Sequence, residues 1–177
     1  MKHEVEIERI TSIIDHRDEL SELLAAVVQD GASLGFLPPL SHAEAAEYWA
    51  HVPAPDVRLY IATMDNRIVG SVQVHLCMKP NGGHRAEIAK LMAHPEYRRM
   101  GIGRMLMQTA EADAKGEGRS LIVLDTREGD PSNLLYTSMG YIQAGRIPDY
   151  AMSADGGLAA TIMYYKLQPT DSEMAAT

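Results

Sequence analysis

Cysteine is nearly absent: Cys77 is the only one in 177 residues. An internal disulfide and a cysteine-rich zinc framework are therefore excluded. Basic charge is scarce as well. Sixteen Lys and Arg stand against 24 Asp and Glu, a formal net charge of −8, so no role can rest on general attraction to nucleic acid or anionic lipid. Long apolar runs are missing. The longest, Leu23 to Val28, has six residues, where a membrane helix needs about 20. The first residues, Met1 to Glu6, alternate charged and apolar types and lack the apolar centre of a signal peptide. There is no internal repeat and no long linker. What remains is 46% apolar and 23% charged, a composition typical of a soluble globular chain, at a length that suits one domain. We expect a single domain over residues 1–168, a flexible tail over 169–177, and a cytoplasmic location. The expected assembly is a monomer or homodimer, with neither nucleic acid nor membrane as partner.

The apolar pattern sets out the elements in order. Val5, Ile7 and Arg9 alternate with Glu4, Glu6 and Glu8, a short strand with one acidic face. Leu20, Leu23, Leu24, Val27 and Val28 repeat at three and four within a helix from Asp15 to Gln29, with Gly31 at its stop. Gly31 to Leu40 is a loop closed by Pro38-Pro39. Ser41 and Glu44 have capping-box spacing for a helix running to about His51, before Pro53 and Pro55. Strands follow at Val57 to Met64 and Ile68 to Met78, joined by Asp65-Asn66-Arg67. In the second, Ile68, Val72, Val74, Leu76 and Met78 are assigned to one face, and Ser71, Gln73 and His75 to the other. After Pro80-Asn81-Gly82-Gly83 a strand resumes from Arg85 to Ala93. A helix from about Gly101 to Gly116 or Gly118 carries the stripe Ile102, Met105, Leu106, Thr109 and Ala110. Leu121 to Thr126 is an apolar strand. Asp130-Pro131 has the form of an N-cap and first-turn proline for a short helix to Met139. Two last strands flank Asp155-Gly156-Gly157. This order describes an α/β (α+β) fold with a mixed sheet of about seven strands and about four helices.

The most specific motif is Arg98-Arg99-Met100-Gly101-Ile102-Gly103, with Arg104 behind it, between a strand and a helix. A helix N-terminus leaves amide hydrogens unpaired and carries partial positive charge, a ready seat for a phosphate or pyrophosphate. Gly101 and Gly103 let the backbone curl around such an anion, and the arginines add fork-shaped donors. The plainer reading is a turn with exposed arginines ahead of an amphipathic helix. No Gly-Lys-Ser/Thr follows, and only two glycines open the helix, so neither a Walker loop nor a dinucleotide fingerprint fits.

At these residues the chain resembles the GNAT superfamily of N-acetyltransferases. Arg98-x-x-Gly101-x-Gly103 matches that signature, Leu91 to Tyr97 looks like the usual approach to the loop, and Tyr136-Thr137-Ser138-Met139-Gly140-Tyr141 looks like the Tyr-x-x-x-Gly-aromatic segment. The resemblance covers nearly the whole chain and implies acetyl-coenzyme A as cosubstrate. Its pyrophosphate would rest on Arg98, Arg99, Met100, Gly101, Ile102, Gly103 and Arg104. Its pantetheine arm would lie along Leu91, Met92 and Ala93. Gly31 to Phe36, Lys79 to Gly82, Arg85 to Glu87, Lys90 to Met92 and Leu124 to Thr126 together resemble the tabtoxin-resistance branch, which acetylates an amine on a β-lactam toxin. Two positions depart from the superfamily pattern. Met100 stands where a polar or basic residue is common, and Gly129 where an Asn is often found. Ser132 or Asn133, on the Tyr136 face of the helix, are the available substitutes.

Acetyl transfer to a small-molecule amine needs a base, oxyanion support and a proton for the leaving thiolate. An alkylamine of pKa about 10 is almost wholly protonated at neutral pH. Glu87 and Asp125, on strands expected to be neighbours, are the candidate bases, and Asp125 ends the most apolar strand, where an unpaired carboxylate is costly. Against this, both acids would simply pair with Arg85 or Lys90. A backbone amide near Met92 or Ala93 would support the oxyanion, as the resemblance suggests. Tyr136 is the candidate acid, although a phenol at about 10 donating to a thiolate near 8.5 is uphill by roughly 2 kcal/mol. Otherwise it is a packing tyrosine with its hydroxyl at the surface. Loop Gly31 to Leu40 and the hairpin around Pro148 to Gly157 would wall the acceptor site. Phe36, the chain's only Phe, would cap the substrate or enter the core.

Two other function classes compete. Gly31-Ala32-Ser33-Leu34-Gly35 satisfies Gly-x-Ser-x-Gly, but a helix precedes it and prolines follow, which is not the strand-to-helix context of a hydrolase elbow. A non-catalytic acyl-coenzyme A sensor would keep the loop but has no need of Tyr136, Glu87 and Asp125. The seven His residues show no metal-ligand spacing, so no metal is expected, and Cys77 has no motif context. The charge is unevenly placed. Residues 85–104 hold five basic residues against two acidic, a local balance of +3 that leaves −11 for the rest. The basic charge is concentrated where a pyrophosphate would bind.

Overall fold

The computed structural model describes residues 4–176. Seven strands form one sheet: β1 (Glu6–Ile10), β2 (Val57–Met64), β3 (Arg67–Leu76), β4 (Arg85–Ala93), β5 (Leu121–Arg127), β6 (Ile142–Met152) and β7 (Leu158–Leu167). Their spatial order is β1-β2-β3-β4-β5-β7-β6. Every neighbouring pair is antiparallel except β4 and β5. Helices α1 (Arg17–Gln29) and α2 (His42–Trp49) share one core with Ile61 and Met92. Helices α3 (Ile102–Gly116) and α4 (Ser132–Ser138) pack into the other with Val72, Ile88 and Leu124. A fifth helix, α5 (Asp171–Ala175), is one more than the sequence pattern gave and opens on a Thr170–Glu173 capping box.

The sheet is buried on both faces in its middle, which explains why β3 runs Val69 to Val74 without an exposed residue. Here the expected face assignment fails. β3 has a bulge opposite Ala62/Thr63 that leaves Val69 unpaired, so Ile68 joins the α1/α2 core while Val69, Val72, Val74 and Leu76 face α3. Met78 lies beyond the strand and is exposed. In β1, Arg9 is exposed like Glu6 and Glu8. In α3 the buried stripe is Ile102, Leu106, Met107, Ala110 and Ala114, with Met105 and Thr109 only half-buried.

Local chemistry sets the other positions as read. Ser41 Oγ accepts from Glu44 N at 3.1 Å, and Glu44 Oε2 accepts from Ser41 N at 2.8 Å. Trp49, fully buried, donates Nε1–H to Leu20 O at 2.9 Å and ties α2 to α1. Gly70 fixes how close α3 approaches the sheet, because a Cβ there would meet Ile102 Cγ2 and Met92 O at 2.8 Å. The start of α4 differs from expectation. Pro131 is the N-cap and caps nothing with a side chain, since Asp130 Oδ1 instead accepts from Arg127 Nε at 3.0 Å.

Candidate active site

The turn from β4 into α3 exposes backbone. After Ala93 a short 3-10 turn, Pro95–Tyr97, leads to Arg98 in extended conformation, then to Arg99 at φ 62° and Gly101 at φ 77°. Left-handed φ at Gly101 is the reason for a residue without Cβ. As N-cap, Gly101 has no side chain to offer, so among the described residues nothing caps the first-turn amides of Ile102, Gly103 and Arg104. A Cβ on Gly103 would reach Leu135 Cδ2 at 3.4 Å, which brings α4 against the same turn. The arginines divide unexpectedly. Arg98 donates to Asp30 at the end of α1, and Arg104 to Ser138 Oγ at 2.7 Å on α4. Arg99 and Met100 are exposed.

Beside this turn the sheet opens. β4 and β5 pair for only three residues, Arg85↔Leu121, Ala86↔Ile122 and Glu87↔Val123. β3 nonetheless follows β4 to Gly70↔Ala93, and β7 follows β5 to Arg127↔Thr161. The two parallel strands thus part after Glu87, leaving the β4 edge through Leu91, Met92 and Ala93 without a partner on that side. A bulge at Lys90, φ 54°, shifts the register against β3 and turns Leu91 and Ala93 toward the α3-side core while Met92 is buried on the other side.

Glu87 and Asp125 both lie at this opening, and both are exposed. The alternative reading, in which both acids pair with Arg85 or Lys90, is not what forms. Asp125 Oδ2 accepts from Thr161 Oγ1 at 2.8 Å, and Arg85 donates to Cys77 Sγ at 3.3 Å. Lys90 Nζ donates to Leu34 O and stands 5.5 Å from the Phe36 ring centroid and 6.0 Å from that of Tyr48. Burial lowers the Lys90 pKa, against an upward pull from Asp125 and Glu87. Because Asp125 is exposed, its placement carries no burial cost, contrary to the sequence argument.

The chain matches the model of the "Acetyltransferase (GNAT) family" over residues 21–141. It belongs to the GNAT acetyltransferase family. Solved structures agree in fold. The GNAT acetyltransferase of Streptococcus pneumoniae is 17% identical with TM-score 0.76, covering 93% of this chain and 100% of that one. The ribosomal-protein-S18-alanine N-acetyltransferase of Escherichia coli is 17% identical with TM-score 0.71, covering 94% and 96%. YncA of Salmonella typhimurium, solved with its cofactor acetyl-CoA, is 13% identical with TM-score 0.76, covering 92% and 93%.

As a GNAT acetyltransferase the protein uses acetyl-CoA, and the residues present fit it. Unpaired amides at the start of α3 suit a pyrophosphate, and the bare β4 edge suits the amide groups of a pantetheine arm. Among the described residues no group of three or more His, Cys, Asp or Glu is gathered to hold a metal ion. The Gly31–Gly35 segment follows α1 and precedes α2, so the GNAT fold gives Ser33 no strand-to-helix elbow. Cys77 is half-buried, its thiol pKa lowered by a backbone hydrogen bond at Lys79 and by Arg85.

Tyr136 is buried in the GNAT core, with ring centroids 5.8 Å from Tyr141 and 6.0 Å from Tyr164. Burial raises its pKa, and the charges of Asp125 and Asp130 raise it further. The uphill gap to a thiolate is therefore wider than in the sequence argument. Asn133, a candidate substitute for the missing Asn, is committed to Tyr164 Oη, Arg127 O and Asp130 O. Ser132 Oγ and Thr126 Oγ1 are bonded to each other at 2.6 Å.

Several residues of the opening were not read as site residues from the sequence. Gln73 and His75 on β3, Tyr48 on α2 and Lys90 on β4 meet on the α1/α2 face of the sheet. The available signal was a polar row, Ser71, Gln73 and His75, inside a strand otherwise too apolar to face water. The expected walls do adjoin. A shallow recess between the Gly31–Leu40 loop and the β6–β7 hairpin is lined by Ser33, Phe36, Pro38, Arg127 and Met152, and Arg127 donates to Gly31 O at 2.7 Å.

Proposed function

We propose that the protein transfers the acetyl group of acetyl-CoA to a primary amine of a small zwitterionic molecule. The observation that carries this reading is the pair of exposed carboxylates, Glu87 and Asp125, at the mouth where β4 and β5 part. An acceptor arrives as an ammonium and needs negative charge to hold it and a base to deprotonate it. Among the described residues none donates a hydrogen bond to the Glu87 carboxylate, whereas Asp125 already accepts from Thr161. We assign Glu87 as the base and Asp125 as the group that orients the ammonium.

Acetyl-CoA supplies the activated acyl carbon when bound. The amides of Ile102, Gly103 and Arg104 hold its pyrophosphate, with Arg99 adding charge beside Arg98, Met100 and Gly101. The β4 edge at Leu91, Met92 and Ala93 receives the pantetheine, and an amide at Met92 or Ala93 supports the oxyanion. Tyr136 serves as hydrogen-bond donor to the leaving sulfur, since its raised pKa keeps the phenolic hydrogen on the ring. Phe36, Lys90 and the Gly31–Leu40 loop close the acceptor side, and Lys90 offers a cation to an anionic group of the acceptor.

The likeness to the tabtoxin-resistance branch supports detoxification of a β-lactam toxin amine as the biological role. The fold alone does not choose an acceptor, because one neighbour is a protein N-acetyltransferase. The test is acetyl-CoA-dependent thiol release across free amino acids, amino-acid esters, simple alkylamines, an amine-bearing β-lactam and peptides with a free protein-type N-terminus. Turnover confined to zwitterionic primary amines supports the reading. Turnover only with protein N-termini overturns it.

A further inference from the structure

The α1/α2 face of β3 carries a hydrogen-bond chain that the roles above leave unused. Tyr48 Oη accepts from Gln73 Nε2 at 2.8 Å, and Gln73 Oε1 meets His75 Nε2 at 2.9 Å. An amide oxygen only accepts, so His75 Nε2 carries the hydrogen and donates it. In a neutral ring Nδ1 then keeps its lone pair. Across the β3–β4 ladder His75 stands directly opposite Glu87, and residues so paired point to the same face with Cβ atoms about 5 Å apart.

The surroundings favour the neutral ring. His75 is half-buried, and burial lowers its pKa from 6.5. Glu87 from β4 and Asp56 from the turn before β2 pull it up, Lys90 from β4 pushes it down, and Tyr48 of α2 acts only through Gln73. A neutral imidazole with its tautomer fixed by a buried amide, beside an unpaired carboxylate, is arranged to accept a proton.

We propose that His75 is a proton relay for Glu87, taking from it the proton that Glu87 removes from the acceptor ammonium. The inference rests on Glu87 being the base. One ammonium N–H bond breaks as a Glu87 O–H forms. That O–H gives its proton to a bridging water as the water gives one of its own to His75 Nδ1, because the two side chains face each other across the ladder without a direct hydrogen bond. The imidazolium then gives the proton to solvent. No electrons change hands, and Glu87 is a carboxylate again for the next acceptor. Gln73 and Tyr48 are positioning residues that hold the ring and its tautomer.

His75→Gln keeps a donor toward Gln73 and removes the base. With the fastest amine of the panel above, kcat is expected to fall about tenfold, with KM for acetyl-CoA unchanged. In His75→Ala, added imidazole is expected to restore kcat in proportion to its neutral form, which a structural role would not produce. His75→Gln with wild-type kcat and pH profile overturns the relay. Nitrogen-resolved NMR of the native chain needs no variant: an Nε2–H tautomer at neutral pH supports the proposal, and an Nδ1–H tautomer overturns it. Glu87→Gln separates the two readings. Full turnover in that variant overturns the base assignment and the relay together, whereas its loss beside an unimpaired His75→Gln overturns the relay alone.

Discussion

The proposed cofactor side of the cleft is made from one stretch of chain, residues 91–104, while the proposed acceptor side is gathered from α2, β3, β4, β5 and two loops. The first works through backbone: a bare strand edge, a left-handed glycine and uncapped amides. The second works through side chains, Glu87, Asp125, His75, Lys90 and Phe36, whose proximity exists only after the sheet has formed. A site built from backbone is sensitive to shape and tolerant of side-chain identity, which is how Met100 can stand in the loop. A site built from side chains is sensitive to charge.

Exchanging the insults tests that contrast. The largest effect is expected for Glu87→Gln: a loss of about 10²–10⁴ in kcat, with acetyl-CoA affinity unchanged by calorimetry. Weakened cofactor binding in that variant would break the division between the two sides. Gly101→Ala is the converse. Its left-handed φ costs an L-residue about 1–2 kcal/mol, so Kd for acetyl-CoA is expected to rise roughly tenfold while kcat at saturation stays near wild type. Tyr136→Phe sits between the halves. Since burial keeps its phenol protonated, the variant should lose roughly tenfold in kcat at every accessible pH without moving the alkaline limb. Retained turnover at all pH values would remove the donor role. The smallest effect concerns stability. The folded pKa of His75 lies below 6.5, so on acidification the unfolded chain binds the proton first. Stability is full above 6.5 and falls as pH drops through the folded value. His75→Gln should flatten this part of the urea-midpoint profile between pH 7 and 5.

The same contrast explains what the sequence could tell. Element order was legible because hydrophobic period, capping residues and Gly/Pro punctuation are local, as at Ser41–Glu44 and the Asp65-Asn66 turn, where both residues take positive φ. The anion turn was legible for the same reason. Ile68 was placed on the wrong face because a bulge reverses alternation, and nothing in the local pattern announces it. The Arg98–Asp30 and Arg104–Ser138 bonds, the Thr161 hydroxyl on Asp125 and the Tyr48–Gln73 bond join residues 25 to 68 positions apart. Only the sheet brings them together.

The most direct measurement is acetyl-CoA-dependent thiol release by the purified chain across primary amines, with the acetylated product identified by mass spectrometry. One N-acetyl product per thiol released is expected for a zwitterionic primary amine, abolished in Glu87→Gln. Tight acetyl-CoA binding with no turnover of any amine would contradict it and make the chain an acyl-coenzyme A sensor.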